Sequence, residues 1–199
     1  EKMHKKTINI KSLTIIAMLA AISTVLMFLS FSIPLFPTFL KLDFSEVPAL
    51  IAAFSLGPFA GVSVVFIKNL INLLFTSSGG IGEFANFLIG SFFVFSAGLV
   101  YQKFKTRKGA ILSMTVGTVI MSIVGTVANY YILMPLYTLI MPIDSIVNMF
   151  KSINPYADTM LKIMFMTIAP FNLLKGFIVS LITFLIYKKL SPIIKRIAY

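Results

Sequence analysis

The sequence contains no cysteine and no tryptophan, and its one histidine, His4, lies in the first few residues. Without thiols there is no disulfide, no thiolate metal site and no cysteine nucleophile. A lone histidine in the tail leaves no basis for imidazole chemistry. Acids are scarce too, six Asp and Glu in 199 residues. No predicted helix carries two of them at i, i+3 or i+4, the spacing a helical metal or glycosyl-transfer site requires. There is no G-x-x-x-x-G-K-[ST] run to cradle ATP phosphates. Too few acids lie within apolar runs for a carboxylate proton relay, and a channel would need a repeated filter motif. The chain is therefore not expected to be an enzyme.

Apolar residues dominate: 58% are hydrophobic and 12% charged, against about 45–50% and about 25% in soluble domains. With spans of about 20 residues each, six helices nearly use up the chain. The apolar runs place them at roughly 12–33, 47–56, 59–76, 84–101, 110–140 and 159–187. The first run is too long for a cleaved signal and lacks a small-x-small site. The second, bounded by Gly57-Pro58, rises only about 15 Å, so it is expected to start deep within the protein. Pro135 and Pro170 are expected to bend helices 5 and 6. Between helices lie PLFPTFLKLDFSE (Pro34–Glu46), SSGGIGE (Ser77–Glu83) and the longest loop, Met141–Asp158. No internal repeat is visible, unlike the inverted-repeat carriers.

The charges are sorted along the chain. Lys2, Lys5, Lys6 and Lys11 precede the first run; Lys103, Lys105, Arg107 and Lys108 separate the fourth from the fifth; Lys188, Lys189, Lys195 and Arg196 follow the last. Opposed only by Glu1, these twelve cations account for the net charge of +11. Cations in short loops mark the cytoplasmic face. They flank apolar runs, as juxtamembrane charge does, so nucleic acid is not the expected partner. The chain thus reads as an all-α integral membrane protein: one transmembrane domain over residues 1–199, six helices, both termini cytoplasmic, and a near-neutral outer side where a ligand can bind.

Ionisable groups within spans are costly and mark candidate sites. Lys175 lies in mid-helix 6, thirteen residues from both Lys162 and Lys188, about 20 Å from either. Asn172 shares its face. Together they offer an amide and an ammonium to carbonyl or ring-nitrogen acceptors, or a hydrogen bond to a neighbouring helix. Thr118, Ser122, Gly125 and Asn129 form one stripe on helix 5. Small residues permit close packing, whereas the Asn129 amide requires partners. On helix 3, Lys68 and Asn72 share a face, and Lys68 either pairs with Glu46 or Asp43 or meets a ligand. Glu83 and Asn86 border the glycine-rich loop. Ala17 and Ala21, four apart on helix 1, let a second helix approach closely, within the bundle or outside it.

The segment KLDFSEVPALIAAFSLGP (Lys41–Pro58), the Ala17-x-x-x-Ala21 helix and the six-span plan resemble the substrate-binding S components of energy-coupling factor transporters. The resemblance covers nearly the whole chain and looks closest to the riboflavin-specific branch. It implies a vitamin-binding subunit of the bacterial cell membrane that works with a transmembrane coupling protein (EcfT-like) and two cytoplasmic ATPases. It also implies that Ala17 and Ala21 face the coupling protein, and that the pocket is built from the last three helices and the first outer loop. No cofactor is implied; riboflavin is the transported ligand. On this reading Phe36, Phe39, Leu40, Leu42 and Phe44 cover the faces of the isoalloxazine ring, and Asn129, Asn172 and Lys175 read its polar edge. The ribityl hydroxyls reach polar loop groups near Asp43, Glu83 and Asn86, and Lys41 is a further ligand candidate. Composition alone fits other flat heterocycles. Another vitamin, a self-sufficient carrier and a membrane enzyme acting on lipid-linked substrates remain alternatives at this point.

Overall fold

The structure, a computed structural model, describes residues 10–198, with the backbone alone at 190, 191 and 193–198. Lys2, Lys5, Lys6 and the side chains of Lys195 and Arg196 fall outside the described part, and with them much of the two terminal basic clusters.

Helix α1 (Ile10–Phe28) ends earlier than the expected Ile33. The chain leaves the helix because Phe31–Ser32 (β1) pairs antiparallel with Lys41–Leu42 (β2), Phe31 opposite Leu42. Pro34 and Pro37, which lack an N–H, sit in the excursion between these strands. Tight turns there are closed by Phe36 N–H to Ile33 and Leu40 N–H to Pro37, both 2.9 Å. Helix α2 (Glu46–Leu56) stops at Gly57, whose φ of +113° suits only glycine. Pro58 then opens α3 (Pro58–Asn72) at a position where a missing N–H costs nothing.

Helix α4 (Ile81–Lys103) and α5 (Arg107–Ala128) flank the basic loop, and Thr106 Oγ1 caps α5 by accepting from Gly109 N–H at 3.0 Å. α5 runs through a π turn, Asn129–Leu133, into α6 (Met134–Tyr137). The expected loop over Met141–Asp158 instead holds α7 (Ile143–Lys151). Its apolar residues Ile143, Ile146, Val147 and Phe150 recur at helical spacing, and Ile146 and Phe150 are buried. Helix α8 (Met160–Ile163) likewise passes through a π turn, Met164–Ile168, into α9 (Ala169–Ala198). Both π turns lie just before the prolines expected to bend these helices, Pro135 and Pro170. A proline cannot donate to the carbonyl four residues back, and the ladder instead widens by one residue.

Among the described residues, five helical rods are long and apolar enough to cross a membrane: Ile10–Phe28, Pro58–Phe75, Ile81–Lys103, Arg107–Tyr137 and Met160–Lys189. α2, with eleven residues, reaches only about 16 Å. It lies at the centre, buried from Glu46 to Ser55 and packed between α1, α3, α4 and α9. The rods turn apolar side chains outward, among them Met18, Phe59, Ile123 and Phe177, as lipid contact requires.

The bundle has two distinct ends. At one, Gly57 lies against Gln102, and Phe54 stacks on Tyr101 and meets Tyr187 edge-on. Lys103, Lys105, Arg107, Lys108, Lys188 and Lys189 adjoin these groups in sequence. At the other, Phe28 meets Phe75 at 5.4 Å, and Phe39 from the β1–β2 excursion meets Phe150 of α7 at 5.4 Å.

Candidate functional site

Two adjoining spaces lie toward the end away from the basic loop. The inner chamber, about 110 Å³, lies between α4, α5 and α9 under the β1–β2 excursion. The outer cleft, about 630 Å³, lies above it. Phe39, Lys41, Gly82, Asn86 and Tyr137 line both.

Most of the candidate ligand residues meet at these spaces. Phe39, Leu40, Lys41, Asn86, Asn129, Asn172 and Lys175 line the inner chamber. Asp43 and Glu83 line the outer cleft. Leu42 lines neither; it is buried in β2 opposite Phe31. Ala17 and Ala21 are exposed on the outer face of α1, away from the chamber. Ile89, Met121, Leu133, Tyr137 and Phe171 also line the chamber. Sequence reasoning passed them over because an apolar residue facing a cavity looks the same as one facing the core.

The two chamber amides are placed by the π turns. Asn129 is the first residue of one turn, and Asn172 follows the other by one helical turn. Each gives an amide N–H to a carbonyl four residues back, Asn129 to Gly125 at 2.7 Å and Asn172 to Ile168 at 2.9 Å. The carbonyl oxygen and second N–H of each amide stay available to a ligand. Gly125 also makes room for Asn172: a Cβ at Gly125 would lie 2.6 Å from Asn172 Nδ2.

Lys175 reaches the chamber wall with its ammonium already partnered. It donates to Asp43 Oδ2 at 2.9 Å and lies 3.5 Å from Glu46 Oε2. Glu46 Oε1 pairs with Lys68 at 2.7 Å. Ser45 links the set, its hydroxyl donating to Asp43 and accepting from Lys68. Ser23 of α1 donates to the Ser45 carbonyl. Lys68, Lys175, Asp43 and Glu46 thus form a buried ion-pair cluster that joins α1, the segment before α2, α2, α3 and α9. Burial alone would raise the Asp43 pKa; Lys175, Lys68 and the Ser45 hydroxyl outweigh it and hold the carboxyl below its usual range. Asp43 is therefore ionised at neutral pH. Of the two readings for Lys68, the ion pair with Glu46 is the one present.

Polar groups also edge the outer cleft. Glu83 Oε2 accepts from Thr76 Oγ1 at 2.8 Å and Ser78 Oγ at 3.2 Å, which ties the glycine-rich loop to α4. Asn69 Nδ2 of α3 donates to Asn86 Oδ1 at 3.2 Å. The whole is an aromatic and aliphatic enclosure with a few convergent polar groups, the general form of a small-ligand site.

Comparison with known proteins bears on what that ligand is. Residues 11–187 match the model of a family described as "ECF transporter, substrate-specific component". A riboflavin transporter, RibU of Staphylococcus aureus, is 40% identical over 187 residues, 94% of each chain. The riboflavin transporter FmnP of Bacillus subtilis is 34% identical over 192 residues, 94% of this chain and 96% of that one. A solved S component of a bacterial ECF transporter superposes with a TM-score of 0.75 at 36% identity, covering 94% of this chain and 98% of the other.

Proposed function

The chain belongs to the family of ECF transporter substrate-specific components, and from that premise we propose that it captures riboflavin at the outer face of a bacterial cell membrane. The observation that carries this reading is the pair of asparagine amides, Asn129 at one π turn and Asn172 one helical turn past the other, which face one chamber together with Phe39, Leu40 and Phe171. A flat ring with a carbonyl- and nitrogen-bearing edge complements that pair. Pockets for ligands of this size enclose roughly 300–1,000 Å³. The inner chamber is too small for that alone, so the ligand spans chamber and cleft. The ring sits inside, against Phe39, Leu40 and Phe171. The hydroxylated side chain points outward to Asp43, Glu83 and Asn86. Leu42 supports the loop, and Lys175 holds it through Asp43 while offering its remaining N–H to the ring edge.

The chain forms a single six-span unit, with α2 as a short, internal sixth element and both termini on the cytoplasmic side. Its sequence carries no P-loop motif, and energy comes from partners: a transmembrane coupling protein of the EcfT kind and two cytoplasmic ATPases. The exposed Ala17–Ala21 face of α1 is the surface proposed to meet the coupling protein.

Titration of riboflavin fluorescence with the detergent-purified protein tests the reading. Asn129→Leu and Asn172→Leu are expected to weaken binding at least tenfold each, about 1.4 kcal/mol. Affinity unchanged in both variants would place the ligand elsewhere.

A further inference from the structure

A third space, a groove of about 500 Å³, lies between α5 and α9 and shares no lining residue with the chamber or the cleft. The two helices approach closely at its floor, where a Cβ at Gly176 would come within 2.7 Å of Thr118 Cγ2. The hydroxyls there are already spent. Thr118 and Ser180 share a hydrogen bond at 3.3 Å, and Thr115 Oγ1 donates to Ile111 O at 3.0 Å. Ile111, Val119, Leu173, Phe177 and Leu181 stand exposed as the walls. The groove therefore presents apolar surface, on two rods long enough to cross a membrane.

Its length and its basic end identify the occupant. From Leu173 to Phe184 helix α9 rises about 16 Å, roughly half of the 30 Å hydrocarbon core of a bilayer, so the groove spans one leaflet. Arg107 and Lys108 precede Ile111 by four and three residues, and Lys188 follows Phe184 by four, spacings that keep all three on the groove's face. All three are exposed, and none joins an ion pair among the described residues. Cations at the cytoplasmic ends of spans attract acidic headgroups, and a guanidinium holds a phosphate through two bonds. A second copy meeting this face with its own would set cations against cations. We propose that the groove binds one anionic phospholipid of the cytoplasmic leaflet, an acyl chain lying between α5 and α9 and the headgroup phosphate held by Arg107, Lys108 and Lys188. The proposal rests on the membrane orientation given above and not on which vitamin the chamber holds.

The test is native mass spectrometry of the detergent-purified protein, titrated with phosphatidylglycerol or with phosphatidylcholine of the same acyl chains. The unmodified protein is expected to hold one phosphatidylglycerol at least fivefold more tightly than phosphatidylcholine. The Arg107→Gln, Lys188→Gln double variant, which changes only exposed side chains, is expected to lose that preference. The Lys103→Gln, Lys189→Gln double variant removes equal charge at the same end and is expected to keep it within twofold. Thr115→Trp, which fills the groove, is expected to weaken phosphatidylglycerol at least fivefold, with melting measured in the absence of lipid unchanged; the charge variants decide the matter should Thr115→Trp not fold. Equal retention of the two lipids by the unmodified protein overturns the site, and so does a preference lost alike in both double variants, the mark of diffuse charge. Undiminished phosphatidylglycerol binding by a folded Thr115→Trp variant overturns the acyl groove. A dimer, or a complex with the coupling protein, that Thr115→Trp abolishes would assign the groove to a protein and overturn the proposal as well.

Discussion

Lys175 and Asp43, 132 residues apart in the chain, form a buried ion pair at 2.9 Å. Removing one member of a buried pair leaves the other uncompensated, at about 3–5 kcal/mol. Lys175→Met is therefore expected to lower thermal stability substantially as well as weaken riboflavin binding. Asp43→Asn together with Lys175→Met removes both charges, and should lose less stability than the two single changes added together. Melting of the purified variants in detergent checks this, and strict additivity would mean that the two groups do not interact. Asn129 and Asn172 were legible by their type and position. Gly125 read only as a small residue in a stripe, because its closeness to Asn172 depends on how α5 and α9 approach.

At the scale of elements, the long rods followed from apolar run length and the placement of prolines. The β1–β2 pair did not, since two residues per strand leave no alternation to read. Helix α7 was hidden between Pro142 and Pro155, although its spacing of Ile143, Ile146 and Phe150 was on the page. Pro135 and Pro170 signalled a disturbance, but a proline does not specify whether the helix kinks or widens into a π turn. α1 carries its own prediction. Ala17 and Ala21 point outward and Ala20 inward, so bulk at the first two positions spares the pocket. Ala17→Trp and Ala21→Trp are expected to bind riboflavin normally while failing to copurify with the coupling protein and to support uptake. Normal uptake by both variants would contradict the proposal that α1 meets the coupling protein.

Across the whole molecule, the two ends divide the work. The basic end gathers the loop from Lys103 to Lys108 and the last lysines whose side chains are described, Lys188 and Lys189. The other end carries the cleft and its aromatic cover, Phe39 against Tyr137 and Phe150. That one end is basic and the other near-neutral was legible in the sequence, because the sorting of charge along the chain does not depend on packing. The absence of native cysteine makes the polarity testable. In intact cells, Ser78→Cys is expected to react with an impermeant maleimide, and Lys105→Cys only after the membrane is opened. The reverse pattern would invert the protein and place the cleft inside.

The central claim, a chamber that holds a flavin without help from other subunits, is tested most directly by native mass spectrometry of the chain purified alone from riboflavin-supplied cells. The account predicts a population heavier by one riboflavin, released on denaturation with a flavin absorption spectrum and much reduced in the Asn129→Leu, Asn172→Leu double variant. A single apo mass that stays unchanged when excess riboflavin is added would contradict it.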